Sequence, residues 1–433
     1  MSPSNDSPLL LVGWDFQQTP VELRERLAFS QEQVEAVVNR MRQEGLLSEA
    51  VIVSTCNRSE VYGVRGPALG EEDPLLALSR FISDFHGVPH AEAERTGFRH
   101  MGADAVRHLF RVSAGLESLA LGEHQILGQV REAFRFASQT GLTRTVLNRL
   151  FQKALEAGKR VRNETGLNSK PISIPGVAIE LAQKIYEDLS PRRFLILGAG
   201  ETSSIFYDLL VARGATNIEV VNRTLEKAQA LCQRAGRAYP WEELAARLPE
   251  ADVVVSATSA AEPVITREDV RHAVSQRRGQ PLFFLDLGIP RNVDPRIADL
   301  DNAFLYAVDD LQEIAERNRQ ERQREVVPAM AILEEELEDF LGWFGSLAVV
   351  PTITALRRKF ESIREAEFDR GLEKMGHLSP GDREKIRLMA QSMVRSLLRR
   401  PTEALKEADD PARRLERAEA AQHLFDLEID GKD

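Results

Sequence analysis

The sequence predicts a multidomain α/β protein: a mixed α/β first part, a doubly wound parallel sheet in the middle, and a helical C-terminal part. Three observations carry this reading. Over residues 1–168 strand-like and helix-like patterns are mixed. Over 169–311 strand, glycine turn and helix alternate, as in a parallel sheet covered on both faces. From 312 to 425 the pattern is purely helical. A chain of 433 residues has room for about two to four domains.

In the first part, "PLLLVGWDF" reads as a strand and "PVELRERLAF" as a helix whose first turn accepts Pro20. "SQEQVEAVVNRMRQEG" opens with Ser30 and has Gln33 three residues on, the pattern of a capping box. Val34, Val37, Val38 and Met41 then recur at helical spacing. "EAVIVST" is the next strand, ended by Cys56. Residues 104–141 and 145–165 each read as a helical run.

In the middle part, "RRFLILGAGETSSIFYDLLVARG" is strand, turn and helix, followed by the strand "TNIEVVNRT" and the helix "LEKAQALCQRAG". "ADVVVSAT" and "PLFFLDLGIP" are continuous apolar runs, as expected of strands buried on both faces. The third part opens with "DLQEIAERNRQERQREVVPAMAILEEELEDFLGWFGSL". This predicts one long helix of about 30–35 residues, near 50 Å, kinked at Pro328. Further helices are expected over 352–375, 380–399 and 401–424. A long helix ending in a bundle suggests dimerisation first and an RNA-contacting arm second.

Composition narrows the function. The net charge of −11 argues against general nucleic-acid affinity, although "LRRKF" (356–360) and "SLLRRP" (396–401) are basic clusters able to touch phosphates. No run of about 18 apolar residues suggests a membrane span, and the polar start of the chain does not read as a signal peptide. Cys56 and Cys232 are its two cysteines, too few for a disulfide framework, so a cytoplasmic protein is expected. His86 and His90 are separated by Gly87 and Pro89, which break the helix that would align them, and no metal site is expected.

"ILGAGETS" (196–203) follows a strand and precedes a helix. Gly198 suits a tight turn and Gly200 a close backbone approach to a pyrophosphate, while Ser203 stands where a third glycine is usual. Ala199, Glu201 and Thr202 complete the expected cofactor loop. The next strand ends in Asn222, Arg223 and Thr224, where NAD sites usually place a carboxylate. A guanidinium and a hydroxyl can instead bind a 2′-phosphate, so NADPH is expected. Cys56 lies in the polar, turn-like "STCNRSE", whereas Cys232 lies in a helical, apolar setting and reads as structural. A free thiol has a pKa of about 8.5 and needs a nearby cation or base to act. Arg58 and, at a distance in sequence, His108 are the candidates. By composition alone Cys56 remains open between core residue and nucleophile. A thiol with a nicotinamide cofactor fits acyl reduction through a thioester, or its reverse.

Taken together, "TPVELRERLAF" (19–29), "STCNRSEVY" (54–62), "RHLFRVSAGLESLALGEHQILGQVREAF" (107–134), "VRNETGLN" (161–168), "GAGET" with "NRT", "DLGIPRNVDP" (286–295) and "LYAVDDLQ" (305–312) resemble glutamyl-tRNA reductases, over about residues 9–407. The resemblance implies NADPH-dependent reduction of glutamyl-tRNA to glutamate-1-semialdehyde, the first step toward 5-aminolevulinate and porphyrins. It implies Cys56 as the nucleophile that forms the thioester, and His108 as a histidine associated with activity, with aid to the leaving 3′-hydroxyl as its role. Thr55, Asn57, Arg58, Ser118, Glu123, His124, Gln125 and Gln129 match substrate-contact positions, and Arg58 could pair with the substrate carboxylate. Gly198 to Ser203 match the NADP loop of a Rossmann-type domain. The family's architecture implies a catalytic domain (1–168), that NADP domain (169–311), and a spinal helix with a helical dimerisation domain (312–425) joining a homodimer. Glutamate-1-semialdehyde aminotransferase is the implied consumer of the product.

Two stretches depart from the family. Residues 15–20 read "DFQQTP" where the family reads close to Asn-His-Lys-Thr-Ala-Pro, and 395–401 read "RSLLRRP" where it often has Asn-Lys-Leu-Leu-His-x-Pro. The first motivates a different reading, a catalytically diverged scaffold that binds a partner. A small-molecule dehydrogenase of the shikimate type is a third, since "GAGET…NRT" is similar there, but the C-terminal helices do not match it.

Overall fold

The structure is a computed structural model. It describes residues 8–69, 73–119, 121–122, 124–374, 378–406 and 411–427. The chain forms two compact units: Met1–Ala114 with Gln125–Lys159 and Ala331–Asp433, and Gly115–His124 with Arg160–Met330.

The first unit begins with β1 (Leu9–Asp15), α1 (Val21–Arg26), α2 (Gln31–Gln43), β2 (Leu47–Ser54) and β3 (Arg58–Arg65). α3 (Pro74–His86), α4 (His90–Thr96), β4 (Phe98–Met101) and α5 (Ala103–Ser113) follow. The four strands form an antiparallel sheet in the order β2-β3-β1-β4. The expected capping box is present: Ser30 Oγ accepts from the Gln33 amide and the Gln33 side chain accepts from the Ser30 amide. Val34, Val37, Val38 and Met41 are all buried. β2 and β3 form a hairpin, with Ser54 opposite Ser59, so Thr55, Cys56 and Asn57 are its loop.

The helical reading of 104–141 is corrected. The chain breaks after α5 and resumes with α6 (His124–Gln139). Between them Gly115 and Gly122 have φ of 77° and 73°, a region that favours glycine. A Cβ on Gly122 would also lie 2.4 Å from the Asn168 side chain. α7 (Thr145–Glu164) starts where the buried Glu49 carboxylate accepts from the amides of Arg144, Val146 and Leu147 at 2.6, 3.1 and 2.9 Å, an acid at the positive end of a helix.

The second unit holds α8 (Ile174–Tyr186), β5 (Arg193–Leu197), α9 (Glu201–Ala212), β6 (Asn217–Asn222), α10 (Leu225–Leu231) and β7 (Arg237–Pro240). α11 (Leu244–Arg247), β8 (Val253–Ser256), α12 (Arg267–Gln276), β9 (Leu282–Asp286) and β10 (Ala303–Ala307) complete it. Its sheet is parallel throughout, in the order β10-β9-β8-β5-β6-β7. The edge strands β7 and β10 are short, and the sequence reading did not assign them. Phe194 and Ile196 join the core under α8 and α9, while Leu195 and Leu197 join the core under α12. One apolar run thus serves two faces.

α13 (Val308–Leu347) is a 40-residue helix with Pro328 inside it, longer than expected. α14 (Val350–Lys374), α15 (Pro380–Lys406) and α16 (Pro411–Leu424) follow. The expected break near residue 400 is absent, because α15 continues through Pro401. In the first unit, Lys153 of α7 sits 2.6 Å from both Glu336 and Asp339 of α13. Within 308–373 one 18-residue window has a mean hydropathy of 1.4 and is 28% buried. It averages over Gly, Ser and Thr, which is why no unbroken apolar run is visible in the sequence.

Candidate active site

Cys56 stands exposed at the tip of the β2–β3 hairpin. Five hydrogen bonds fix the loop around it, three within it and two from outside. The Thr55 amide donates to the Arg58 carbonyl at 2.8 Å. Thr55 Oγ1 accepts from the amides of Asn57 and Arg58 at 3.2 and 3.3 Å. From outside, the Phe16 amide donates to the Asn57 carbonyl at 2.9 Å, and Arg24 Nε of α1 donates to the Cys56 carbonyl at 3.3 Å. Cys232, in contrast, is half-buried, and burial pushes its thiol up to about 11.

β3 and α5 hold a buried ionic cluster. Arg58 is 1% exposed and its Nη1 donates to Glu60 Oε1 at 2.7 Å. His108 Nε2 lies 3.0 Å from the same oxygen, and the Tyr62 hydroxyl donates to Oε2 at 2.6 Å. Burial alone pushes the Glu60 carboxyl up, but the His108 and Arg58 charges outweigh it and bring it down to about 2. An ionised carboxylate only accepts, so His108 Nε2 is the donor in this pair. The rings of Phe98 and His100 pack against His108 at 4.8 and 5.4 Å. Glu60 was missed in the sequence, where it reads as an ordinary charged residue after Cys56. Its position opposite Val53 and Gly13 is what buries it.

The divergent "DFQQTP" is accommodated. Asp15 pairs with Arg58 in the β1–β3 register. Its Oδ1 accepts from the amides of Gln17 and Gln18 at 3.0 and 3.2 Å, holding the turn that carries Phe16 to Asn57. Thr55 and the half-buried Gln129 of α6 line one cavity of about 500 Å³. Gln125 is exposed on α6. Ser118 lies in the 115–124 segment of the other unit, between Gly115 and Gly122. Glu123 and the His124 side chain lie outside the described residues.

In the second unit a cavity of about 330 Å³ opens at the carboxyl end of β5, β6 and β8. Gly198, Ala199, Gly200, Asn222, Arg223 and Thr224 line it, and this is the switch point where such sheets bind nucleotides. Gly198 has φ of 100°, and a Cβ there would lie 2.5 Å from the Ala257 carbonyl. Gly200 caps α9 and faces open space. Glu201, Thr202 and Ser203 open α9, and Ser203 is fully buried with no hydrogen-bond partner for its Oγ among the described residues. It therefore packs the helix onto the sheet, as a third glycine would, and does not line the cavity. Sequence reading missed six further lining residues: Lys227, Trp241 and the four of the 257–260 wall. Arg223 stacks over Trp241 at 5.7 Å. The wall is tied down by Asn292, whose Oδ1 accepts from the Thr258 amide at 2.7 Å. The buried Asp286 in turn accepts from the amides of Asn292 and Val293 at 2.9 and 3.0 Å. These groups fit a dinucleotide phosphate: a glycine cradle at a helix N-terminus with two cations beside it.

Comparison with known proteins finds matches along the chain. The model of the glutamyl-tRNAGlu reductase N-terminal domain matches residues 12–165, and that of the dimerisation domain matches 328–427. Between them the shikimate/quinate 5-dehydrogenase model matches 180–314, a dehydrogenase-type nucleotide-binding domain. The glutamyl-tRNA reductase of Syntrophotalea carbinolica is 38% identical over 424 residues, covering 98% of this chain and 95% of that one. That of Geobacter sulfurreducens is 38% identical over 423 residues, covering 98% and 97%. The solved glutamyl-tRNA reductase from Methanopyrus kandleri superposes with a TM-score of 0.76 at 30% identity, over 97% of this chain and 99% of that one. With such matches along its whole length, the chain belongs to the glutamyl-tRNA reductase family.

Proposed function

We propose that the protein reduces glutamyl-tRNA to glutamate-1-semialdehyde, with Cys56 as nucleophile and NADPH as reductant. The observation that carries this is the exposed thiol on a hairpin tip held by Thr55, Phe16 and Arg24, in a hairpin whose second strand carries Arg58 and Glu60, buried and bonded to each other and to His108. Cys56 Sγ bonds the ester carbon, the bond from that carbon to the ribose 3′-oxygen breaks, and the oxygen leaves with a proton as the 3′-hydroxyl. His108, oriented by Glu60, is the group on hand to move that proton. NADPH, when bound, supplies the hydride that with a proton turns the thioester into an aldehyde and restores the thiol.

The choice of NADPH rests on Arg223, Thr224 and Lys227 lining the cofactor cavity, with no carboxylate among the described lining residues to repel a 2′-phosphate. A homodimer through residues 328–427 is supported by the exposed apolar side chains of α14 and α15. Ile363, Leu388, Met389, Met393 and Leu397 are each more than half exposed, and a groove lined by Phe360, Leu372 and Ile386 runs between them. The product aldehyde is reactive, which supports direct uptake by glutamate-1-semialdehyde aminotransferase in the cytoplasm. The diverged-scaffold reading loses its motive, since Asp15 keeps the turn beside the thiol intact.

The test is to trap the acyl-enzyme. Glutamyl-tRNA without NADPH should add one glutamyl mass to the Cys56 peptide, and Cys56→Ser should lose both this adduct and semialdehyde formation. An unmodified Cys56 in folded protein would sink the proposal.

A further inference from the structure

We propose that the cleft between α14 and α15 binds a small molecule carrying two or more phosphate groups, apart from the hairpin tip and the cofactor cavity. Both helices belong to the first unit, and the cleft between them holds about 850 Å³, within the usual range for a small-molecule site. Its lining is basic. Arg357 and Arg358 of α14 face Arg395 and Arg399 of α15, with Glu361 and Glu403 as the two carboxylates.

Those carboxylates are already engaged elsewhere. Glu361 Oε1 lies 2.8 Å from Arg364, and Glu403 Oε2 lies 3.9 Å from Arg400, both arginines outside the lining. Among the described residues Arg357, Arg395 and Arg399 form no ion pair. Arg395 and Arg399 are also one helical turn apart on α15, where like charges repel. An anion between the helices turns this repulsion into charge-assisted hydrogen bonds. A guanidinium meets phosphate oxygens through two parallel N–H donors, so four of them can serve more than one phosphate. Leu398 and Thr402 are buried at the base of the cleft. The Thr402 hydroxyl has no hydrogen-bond partner among the described residues, although buried hydroxyls usually have one. Val394 and Leu398 offer apolar surface to the organic part of the ligand.

Charge favours a compact ligand over a nucleic acid. The net charge of −11 opposes a long polyanion laid across the protein. A small anion inside the cleft responds to charges within a Debye length, about 8–10 Å, and there four arginines outnumber two carboxylates. Val394 lines both this cleft and the apolar groove farther along the same two helices. An anion that draws α14 toward α15 therefore also steadies the groove.

The probe is inorganic pyrophosphate, titrated calorimetrically into the full chain at an ionic strength held constant with chloride. Saturable binding is expected. Arg395→Ala combined with Arg399→Ala should raise the Kd about tenfold or more, since each removes hydrogen bonds to a charged group. Both side chains are exposed, so the double variant should melt like the wild type. The cofactor cavity can also take phosphates, so Arg223→Ala is titrated in parallel, and the site lost in the double variant must persist there. No saturable binding, or a wild-type Kd in the double variant, overturns the proposal. The second result together with weakened tRNA binding would give the cleft to RNA. A double variant that is monomeric in sedimentation velocity, where the wild type is a dimer, would overturn it too, because the arginines would then belong to the subunit contact. None of these readings involves acylation of Cys56, so the proposed reaction is judged separately.

Discussion

Glu60 organises the site more than any other single residue. It is fully buried, and Arg58, His108 and Tyr62 all converge on its two oxygens. Removing one member of a buried ionic cluster leaves the rest uncompensated, at about 3–5 kcal/mol, so Glu60→Gln should lower stability by that order in a denaturant melt. The sign of the pH effect follows from its depressed pKa. The contribution is complete above the ordinary value of 4.5 and is lost as pH falls toward about 2. Acid unfolding of the wild type should therefore steepen across that window, and the variant should lack the extra steepness. An identical acid profile in the two proteins would refute this. In the cofactor cavity, Arg223→Ala should weaken NADPH binding while leaving NADH binding nearly unchanged, measured by direct titration. Equal losses for both would remove Arg223 from 2′-phosphate recognition. The arginine was legible in the sequence because it ends a buried strand. Lys227 and Trp241 were not, since they reach the same cavity from the first turn of α10 and from just beyond β7, which the sequence did not reveal.

At the scale of elements, local chemistry was read well and long-range pairing was not. The capping box of α2 needs only Ser30 and Gln33, three residues apart, and its buried stripe follows from spacing alone. Ser30→Ala should cost about 1 kcal/mol in thermal unfolding, and an unchanged melting temperature would contradict the cap. β3 was unread for a physical reason. Its sequence "RSEVYGVR" puts Arg58, Ser59, Glu60, Val61 and Tyr62 all in the interior, so no alternation of polar and apolar residues marks it. The charges are tolerated there because they pair with one another. The same absence hid the hairpin, and with it the fact that Cys56 lies at a tip and not simply at the end of a strand. At Pro401 the sequence rule that proline ends helices was overridden by packing, with Leu398, Thr402 and Leu405 buried on either side of it.

For the molecule as a whole, the three-part plan was visible because each part has its own periodicity. What the chain order could not reveal is that α13 supplies residues to both compact units, with Met330 in one and Ala331 in the other. The exposed apolar face of α14 and α15 belongs to this scale too. Leu397, 64% exposed beside Met393, is its best probe. Leu397→Glu should shift the protein from dimer to monomer in sedimentation velocity, and a persistent dimer would place the interface elsewhere.

The hairpin tip has one more chemical consequence. When a thiolate adds to an ester, negative charge gathers on the former carbonyl oxygen, and enzymes commonly meet it with backbone amides beside the nucleophile. Here the amides of Asn57 and Arg58 already donate to Thr55 Oγ1. The turn that presents the sulfur thereby withdraws these two donors from the oxyanion and leaves the amide of Cys56 itself. In the proposed reaction that amide and groups outside the turn would meet the charge, and Thr55 is the residue that sets this division of labour.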